Sequence, residues 1–379
     1  MRTWCKAHPE ISFTIAPVAS LWPVVAESVV RLPFGYFLDY FLWLAAVPAK
    51  VRELQRTRHF DLAVHASLGC YWLPSPVAEL GIPSVWGSVG GATRVAPGLL
   101  PVVGLRGTIE RVLERIVVAV GAAWPATRRT MRRSTVVLLD NETTRAALPA
   151  DIAERALVFH RALLSDVQPC ADRPRGHDIL FPSTLNGRKG ALLALEAMRD
   201  VPAPYRLVFA NEGPDEERLR RSAHELGLED RVLFVGRIPR DEYFALAKAS
   251  AMAVFAGVNE DGGCALCEAM MLGVPVVVLA HSGPKEIVDN WSLDQRRVVS
   301  VAPAGGVQAT VQALADGVNE MIARSPTRAD AYLDRDGAID KLKRVYRQAL
   351  TTVTAPAVGT APTVAPAWSQ QHNRVLTRS

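Results

Sequence analysis

The chain has 379 residues, of which 49% are apolar, and a formal net charge of +5. This length suits two domains of ordinary size, and the apolar content is sufficient for two cores. Five scattered cysteines do not form a disulfide framework, which favours a reducing, cytoplasmic setting. The sequence predicts neither a secretory signal nor a membrane-spanning segment, because no uncharged apolar run is long enough.

The first half contains short apolar segments that predict the strands of an α/β unit. A longer apolar segment, Leu32–Val47, precedes three of the four predicted strands. It is rich in Phe, Tyr, Leu and Trp but is interrupted by Asp39. This segment predicts either a helix in a membrane interface or a core helix of the first domain, and the sequence leaves both open. The predicted strands are Ile11–Pro17, Leu62–His65, Pro83–Trp86 and Thr135–Asp140.

The second half alternates apolar strand patterns with helical patterns, joined by short connections. This alternation predicts a parallel, doubly wound sheet. The predicted helices are Gly190–Arg199, Asp215–Leu226 and Asp241–Ala249. The predicted strands are Ile179–Pro182, Arg206–Ala210, Arg231–Val235, Ala251–Phe255 and Val274–Ala280.

Two glutamates eight positions apart form the most informative motif. Glu260 follows a predicted strand, and Glu268 falls in the helix predicted next, with Gly262 and Gly263 at the start of that helix. At this edge of a parallel sheet, free backbone N–H groups attract phosphate, and carboxylates accept hydrogen bonds from hydroxyls. The motif therefore suits a nucleotide sugar. The alternative is that both are exposed glutamates favoured by the helix dipole.

The cysteine pair at Cys264 and Cys267 has the spacing of a metal or redox motif, but no second pair completes a zinc site. We therefore expect both side chains to pack in the core. Because no metal-ligand cluster is visible, the sequence predicts no metal and no cofactor.

Five segments of the second half follow one another in a specific order and spacing: Asn186–Gly190, Leu207–Pro214, Asp230–Arg237, the E-x7-E segment with Glu268–Val276, and Ser282–Val288. In this order they resemble the nucleotide-binding domain of glycosyltransferase family 4, whose members are retaining enzymes with the GT-B fold. In the first half, Phe60–His65 and Pro83–Gly91 look like a bacterial branch of that family that builds polysaccharides.

The resemblance implies a role for each matching residue. Glu260 would lie near the hydroxyls of the donor sugar, and Glu268 would bind the nucleotide ribose. Lys189 would contact the diphosphate and stabilise it as it leaves. The remaining donor-binding positions are Gly262, Gly263, Gly283, Arg237 and Ile238, of which the last two would recognise the base through their backbone.

The chain departs from the family pattern at two places. Thr184 stands where the family carries an arginine that clamps the diphosphate, so either Arg188 or the hydroxyls of Ser183 and Thr184 would replace it. At the turn where many members carry a histidine near the donor sugar, this chain has the acceptor-side glycines Gly90 and Gly91.

The resemblance implies an α/β protein with the GT-B fold, in which two Rossmann-like domains face a cleft. We expect a first domain at 1–165, a linker at 166–177, a nucleotide-sugar domain at 178–335, a helix at 336–351 and a disordered tail at 352–379. Because Ile11–Pro17 resembles the family's second strand, the first domain is expected to lack its first strand.

The predicted reaction moves a sugar, with retention, from a nucleoside-diphosphate sugar to a hydroxyl of a glycan or lipid-linked acceptor. Seven arginines within 105–134 and the segment Leu32–Val47 together predict docking on an anionic membrane surface, at the inner face of the plasma membrane. Nucleic acid is not predicted, because aromatic residues do not interleave with these arginines. The alternatives are a non-catalytic or truncated GT-B protein that binds sugar nucleotides, and a nucleotide-sugar epimerase.

Overall fold

The computed structural model describes residues 35–66, 69–165, 167, 176–303, 305–325 and 331–352. The predicted strand Ile11–Pro17, most of the predicted linker and the predicted tail beyond Thr352 lie outside these ranges. Within these ranges, ten strands form two parallel sheets. They are β1 (Ala63–His65), β2 (Ser84–Val89), β3 (Val136–Leu139), β4 (Leu157–Val158), β5 (Asp178–Phe181), β6 (Arg206–Phe209), β7 (Val232–Phe234), β8 (Met252–Phe255), β9 (Val276–Leu279) and β10 (Val298–Val301).

Twelve α-helices accompany these strands in the part of the chain that the structure describes, and short 3₁₀ turns join several of them. The helices are α1 (Gly35–Gln55), α2 (Leu100–Ala123), α3 (Pro125–Arg133), α4 (Glu142–Ala146), α5 (Ala150–Ala153), α6 (Ala191–Ala197), α7 (Glu216–Glu225), α8 (Arg240–Ala249), α9 (Cys264–Met271), α10 (Ser282–Trp291), α11 (Val307–Arg324) and α12 (Arg335–Thr351).

The first sheet has the order β1-β2-β3-β4 and all its pairings are parallel. Within α1, Tyr40 and Val47 are buried, and Tyr40 packs in the core of this unit. The core-helix alternative for Leu32–Val47 is therefore supported by the part of that segment that the structure describes.

The second sheet has the order β10-β9-β8-β5-β6-β7, again with parallel pairings. From β5 the chain proceeds outward to β7, returns to β8 on the other side of β5, and proceeds to the opposite edge. The parallel, doubly wound prediction is confirmed. β4 and β10 were missed because β4 has only two residues and β10 is interrupted by Ser300.

Both faces of the central strands are buried, which explains why their sequences are continuous apolar runs rather than alternating ones. In β9, Val277 and Leu279 point into one core cluster, whereas Val276 and Val278 point into another. The period of two places successive side chains on opposite faces of the sheet.

The second cluster also joins the two sheets. It contains Val85 and Leu138 from the first sheet, together with Ala338, Val345 and Ala349 of α12. The last described helix therefore follows the second sheet in sequence but packs against the first unit, which fixes the two units around a shared crevice.

Candidate functional site

The crevice lies where the strand order of the second sheet reverses. β5 and β8 are neighbours in space, and the chain leaves them toward opposite edges of the sheet. The loops that follow their carboxyl ends therefore separate and leave a space between them, which is where open α/β sheets bind ligands. Lys189 lies in the loop after β5, and Glu260 lies in the loop after β8.

The loop after β5 is a tight turn that holds Lys189 in place. The side chain of Asn186 accepts a hydrogen bond of 3.1 Å from the Lys189 backbone N–H. Gly190 has φ of 70°, and a Cβ there would overlap the carbonyl oxygen of Ala256 at the end of β8. The Val258 N–H also donates to the Arg188 carbonyl at 2.8 Å. Only glycine permits this approach, so the two loops are locked together.

Lys189 and Glu260 form an ion pair between Nζ and Oε2, which joins the loop after β5 to the loop after β8. Their side chains retain 25% and 23% of their exposure, so both groups are accessible to a ligand. The two residues predicted as catalytic are therefore adjacent, although they are 71 positions apart in sequence.

The predicted glycines shape the wall beside this pair. A Cβ at Gly262 would meet no atom within 4 Å, so this backbone faces open space. A Cβ at Gly283 would overlap the carbonyl oxygen of Asp261, so Gly283 supports the loop from behind. Gly263 directly precedes α9, whose first N–H groups have no intrahelical partner. A phosphate could approach this helix start without steric hindrance.

Glu268 lies on α9, half-buried, with Oε1 2.9 Å from Nη2 of Arg240 on α8. Burial raises the pKa of the Glu268 carboxyl, and the positive charge of Arg240 opposes this change. Arg240 also stacks over Phe244, with its Cζ 5.1 Å from the ring centroid. Sequence reasoning missed Arg240, because an arginine at a helix start carries no sign of a carboxylate partner 28 positions away.

A cavity of about 650 Å³ lies beyond the carboxyl ends of β5, β6 and β7. This volume is within the range of small-molecule sites in proteins. Two predicted donor-binding residues line it, Thr184 and Arg237, whereas Ser183 and Ile238 are half-buried and do not. The lining residues are Thr184, Glu212, Gly213, Glu216, Arg220, Phe234, Val235, Gly236 and Arg237.

A seam of hydrogen bonds joins the crevice to the first unit through Asp261. Its carboxylate accepts from Thr93 Oγ1 at 2.6 Å and from Asn141 Nδ2 at 3.2 Å. The Asn141 amide also donates to the Asp261 carbonyl at 3.0 Å. Sequence reasoning did not identify these three residues, because pairing between the two units leaves no local pattern.

Glu286 of α10 forms a second contact between the units. Its carboxylate accepts a hydrogen bond of 3.0 Å from the Glu142 N–H and lies 3.4 Å from Nε2 of His160. Burial raises the pKa of Glu286. Burial and, to a smaller extent, the nearby charge of Lys341 lower the pKa of His160 to about 4, so this imidazole is neutral at pH 7.

Of the two acceptor-side glycines, only Gly90 borders the seam. A Cβ at Gly90 would stand 3.1 Å from the Asp261 Cβ and 3.2 Å from Oδ2 of Asp140. Gly91, with φ of 101°, turns toward Trp72 of its own unit. Asp140 is buried, burial raises its pKa, and its nearest cation is Arg161 at 3.4 Å.

Arg188 faces a cation from the other unit. Burial lowers the pKa of Arg111 on α2, Glu114 opposes this change, and the charge of Arg188 adds to it. The positive charge of Arg188 therefore acts on a residue of the first unit, although the direct partner of Arg111 is Glu114.

His65 is buried and bonded to Ser75 through Nδ1 at 2.6 Å, so it is a packed histidine. Cys267 is buried as predicted, but the prediction for Cys264 is wrong, because Cys264 is exposed where α9 starts.

Within the described ranges, no group of three His, Cys, Asp or Glu side chains is placed to hold a metal ion. None of the described helices is both long and apolar enough to span a membrane.

Comparison with known proteins defines the class of enzyme. Residues 172–332 match the family model described as glycosyl transferases group 1. The 2-deoxystreptamine N-acetyl-D-glucosaminyltransferase of Streptomyces fradiae is 29% identical over 347 residues, which are 84% of this chain and 78% of that protein. The 2-deoxystreptamine glucosyltransferase of Streptomyces kanamyceticus is 27% identical, over 64% of this chain and 65% of that protein.

Solved structures agree with this assignment at the level of the fold. WaaG, a glycosyltransferase involved in lipopolysaccharide biosynthesis, matches with a TM-score of 0.51 at 16% identity, over 86% of this chain and 85% of that one. Sucrose-phosphate synthase of Thermosynechococcus elongatus matches with a TM-score of 0.50 at 18% identity, over 83% and 79%.

The predicted GT-B fold is therefore confirmed. The protein is an enzyme, a glycosyltransferase. Neither the epimerase nor the non-catalytic alternative is favoured, since the matched family and both relatives are transferases.

Proposed function

We propose that this protein is a retaining hexosyltransferase of family 4 type, which transfers a sugar from a nucleoside diphosphate to an acceptor hydroxyl. The observation that carries the proposal is the pairing of Lys189 with Glu260 where the second sheet reverses its strand order. A cation for the diphosphate and a carboxylate for sugar hydroxyls are thereby placed side by side.

The donor would extend from this pair in two directions. Its nucleoside would occupy the cavity lined by Thr184 and Arg237. Glu268, which does not line this cavity and whose carboxylate is bonded to Arg240, would bind the ribose from α9. Its diphosphate would lie between Lys189 and the start of α9, where Gly262 leaves open space. The family resemblance implies that Arg237 and Ile238 recognise the nucleotide base. This role is compatible with the proposed placement, because both residues lie in the loop between β7 and α8.

In the proposed mechanism, Lys189 and the first N–H groups of α9 stabilise the charge that develops on the leaving diphosphate. The acceptor hydroxyl would enter from the first unit, beside Gly90, and attack on the face from which the diphosphate departs. The hydrogen bonds of the seam around Asp261 would hold the two units together beside the donor and so exclude water, which otherwise hydrolyses it. No carboxylate nucleophile and no metal are assigned to this reaction.

Two acceptor classes remain as candidates. The first is a glycan or a lipid-linked acceptor, which the basic first unit favours. The second is an aminocyclitol, on which the two Streptomyces relatives act by their names. The similarity to the Streptomyces fradiae enzyme favours it, because that match covers 84% of this chain and so exceeds the nucleotide domain.

The test is a transfer assay with UDP-, GDP- and ADP-sugars against two acceptors, 2-deoxystreptamine and a polyprenyl-diphosphate-linked sugar. We expect one nucleotide to support transfer, with nuclear magnetic resonance showing the donor's anomeric configuration in the product. An inverted product would disprove retention. If the protein binds a donor but transfers the sugar to neither acceptor, both candidate acceptor classes would be wrong.

A further inference from the structure

α2 carries a continuous apolar face that is open to solvent. Seven large apolar side chains along it and at its end are exposed by 45% to 80%. Six of them lie within α2 at steps of four, three, one, three and four residues, so they share one side of the helix, and the seventh is the residue that caps its end. They are Leu105, Ile109, Val112, Leu113, Ile116, Val120 and Trp124. We refer to these seven residues as the α2 apolar face.

The opposite side of the helix is packed in the ordinary way. Val118 is buried, and a Cβ at Gly121 would stand 2.6 Å from the Trp72 carbonyl oxygen. These contacts attach the last turns of α2 to the first unit, on the side opposite the α2 apolar face. Contiguous apolar surface of this kind on a folded protein marks a site of interaction.

The charge around the α2 apolar face is strongly basic. The segment 105–134 contains seven arginines and two glutamates, which gives it a net charge of +5. Arg115 on α2 and Arg132 on α3 are exposed, and Arg129 and Arg133 form ion pairs with Glu79. An apolar helix face bordered by arginines is complementary to an anionic lipid surface, which offers acyl chains below a layer of negative headgroups.

Aromatic side chains lie at one end of this face. Trp124 is 45% exposed and packs against Phe41 of α1 with ring centroids 5.4 Å apart. Tryptophan is enriched at the boundary between hydrocarbon and headgroups, since its ring is largely apolar but carries an N–H donor. The composition of the face therefore favours a lipid interface over a water-filled groove.

The same helix reaches the donor crevice. Gly104, with φ of 70°, kinks α2 between its first turn and the α2 apolar face. The first turn abuts the Lys189 turn, because a Cβ at Gly187 would stand 2.6 Å from the Val103 Cα. A surface bound along the apolar face would consequently lie next to the crevice in which a sugar is proposed to be transferred.

We propose that the α2 apolar face is the membrane-docking surface of this enzyme and that it binds anionic lipid bilayers. The helix lies in the interface, with its apolar side chains among the acyl chains and the arginines at the level of the phosphates. A lipid-linked acceptor would then be presented at the crevice. That last step rests on the proposed function, whereas docking itself requires no catalysis.

The test is co-sedimentation of the full chain with vesicles of phosphatidylglycerol and phosphatidylcholine, compared with vesicles of phosphatidylcholine alone. We expect binding to the anionic vesicles that weakens as salt is raised. The double variant Ile116→Asp/Val120→Asp should weaken this binding roughly tenfold or more, because two side chains that would be buried in lipid become charged. Both positions are exposed, so folding should be retained and is checked by thermal unfolding.

Leu293→Asp is the matched control, since Leu293 is 68% exposed but belongs to the second unit. This variant should bind vesicles as the parent does. Equal binding by the double variant, or no binding by the parent, would overturn the proposal. Sedimentation velocity adds a separate outcome. A parent dimer that the double variant dissociates, without vesicle binding, would show that the face pairs with a second copy and would also overturn the proposal.

Discussion

Lys189 is the residue to which we assign the largest contribution to the rate of sugar transfer. Its ammonium group would stabilise a diphosphate that gains charge as it leaves, and such groups contribute mostly in the transition state. We expect Lys189→Ala to lower kcat by roughly 100- to 1,000-fold, with a smaller change in KM for the donor. Steady-state kinetics measures both constants.

The control for this change is Lys343→Ala, since the Lys343 side chain is 58% exposed and pairs with Asp340 of the same helix, α12. It should leave kcat unaltered. If Lys189→Ala also retained the parent kcat, the diphosphate role would be wrong, and the ion pair with Glu260 would be only structural.

Glu268 has a different proposed role, because it would bind the donor before the reaction, through the ribose hydroxyls. Glu268→Gln replaces a charged carboxylate by a neutral amide. It should weaken donor affinity by roughly 10- to 100-fold, since hydrogen bonds to charged groups contribute about 1.5–3 kcal/mol. Calorimetry with the preferred nucleoside diphosphate measures this change. The exposed Glu225→Gln on α7 is the control, and equal affinities would contradict the ribose assignment.

The protonation of Glu268 gives this prediction a pH dependence. Burial raises the pKa of its carboxyl, so protons compete with the donor above pH 4.5, the ordinary value for Glu. Donor affinity should therefore fall as the pH is lowered toward the raised pKa, and the Gln variant should lack this acid limb.

At the scale of elements, the turn between β5 and α6 depends on one glycine. Gly190 has a left-handed backbone and no room for a side chain, because the Ala256 carbonyl occupies the Cβ position. Gly190→Ala should lower the free energy of unfolding by roughly 3 kcal/mol or more, since strain and steric overlap both contribute. Urea denaturation monitored by circular dichroism measures this loss.

A matched control separates strain from overlap. Gly227 also has a positive φ, of 64°, but a Cβ there would meet no atom within 4 Å. Gly227→Ala should therefore cost only about 1 kcal/mol. Equal losses at the two positions would show that the contact between the β5 and β8 loops does not constrain the crevice.

At the scale of the whole molecule, the two units meet through polar groups that titrate. His160 is buried beside Glu286, and burial lowers its pKa to about 4, compared with 6.5 for an unfolded histidine. Between these values the unfolded chain binds the extra proton, so His160 favours unfolding as the pH falls from 6.5 toward 4. Glu286 acts in the opposite direction, because a carboxyl whose pKa is raised stabilises the folded state at low pH.

Between pH 6.5 and 4, the parent takes up a proton at His160 when it unfolds. We therefore expect His160→Gln to take up one proton fewer on unfolding. Denaturation at pH 7.5, 6 and 5 should show a smaller acid destabilisation in the variant than in the parent. His59→Gln, at a side chain that is 86% exposed, is the control and should follow the parent. Parallel pH profiles for all three proteins would mean that His160 is hydrated in the folded state.

The sequence alone determined the alternation of strands and helices in the second unit, because apolar runs, capping residues and glycines act over a few residues. It also identified the loops that carry Lys189 and Glu260 and the helix that carries Glu268, since these follow predicted strands at the binding edge of a parallel sheet. The resemblance in order and spacing then supplied the expected GT-B fold, which the comparisons confirm.

Only the tertiary structure decided which distant residues meet. The partners of Asp261, the Arg240 that faces Glu268 and the return of α12 to the first unit all depend on contacts between segments far apart in the chain. The exposure of α2 belongs to the same group. Its apolar periodicity is that of any core-facing helix, and only the packing of the first unit shows that one side remains uncovered. Local patterns report which faces are apolar, but burial is settled by what the rest of the chain places against them.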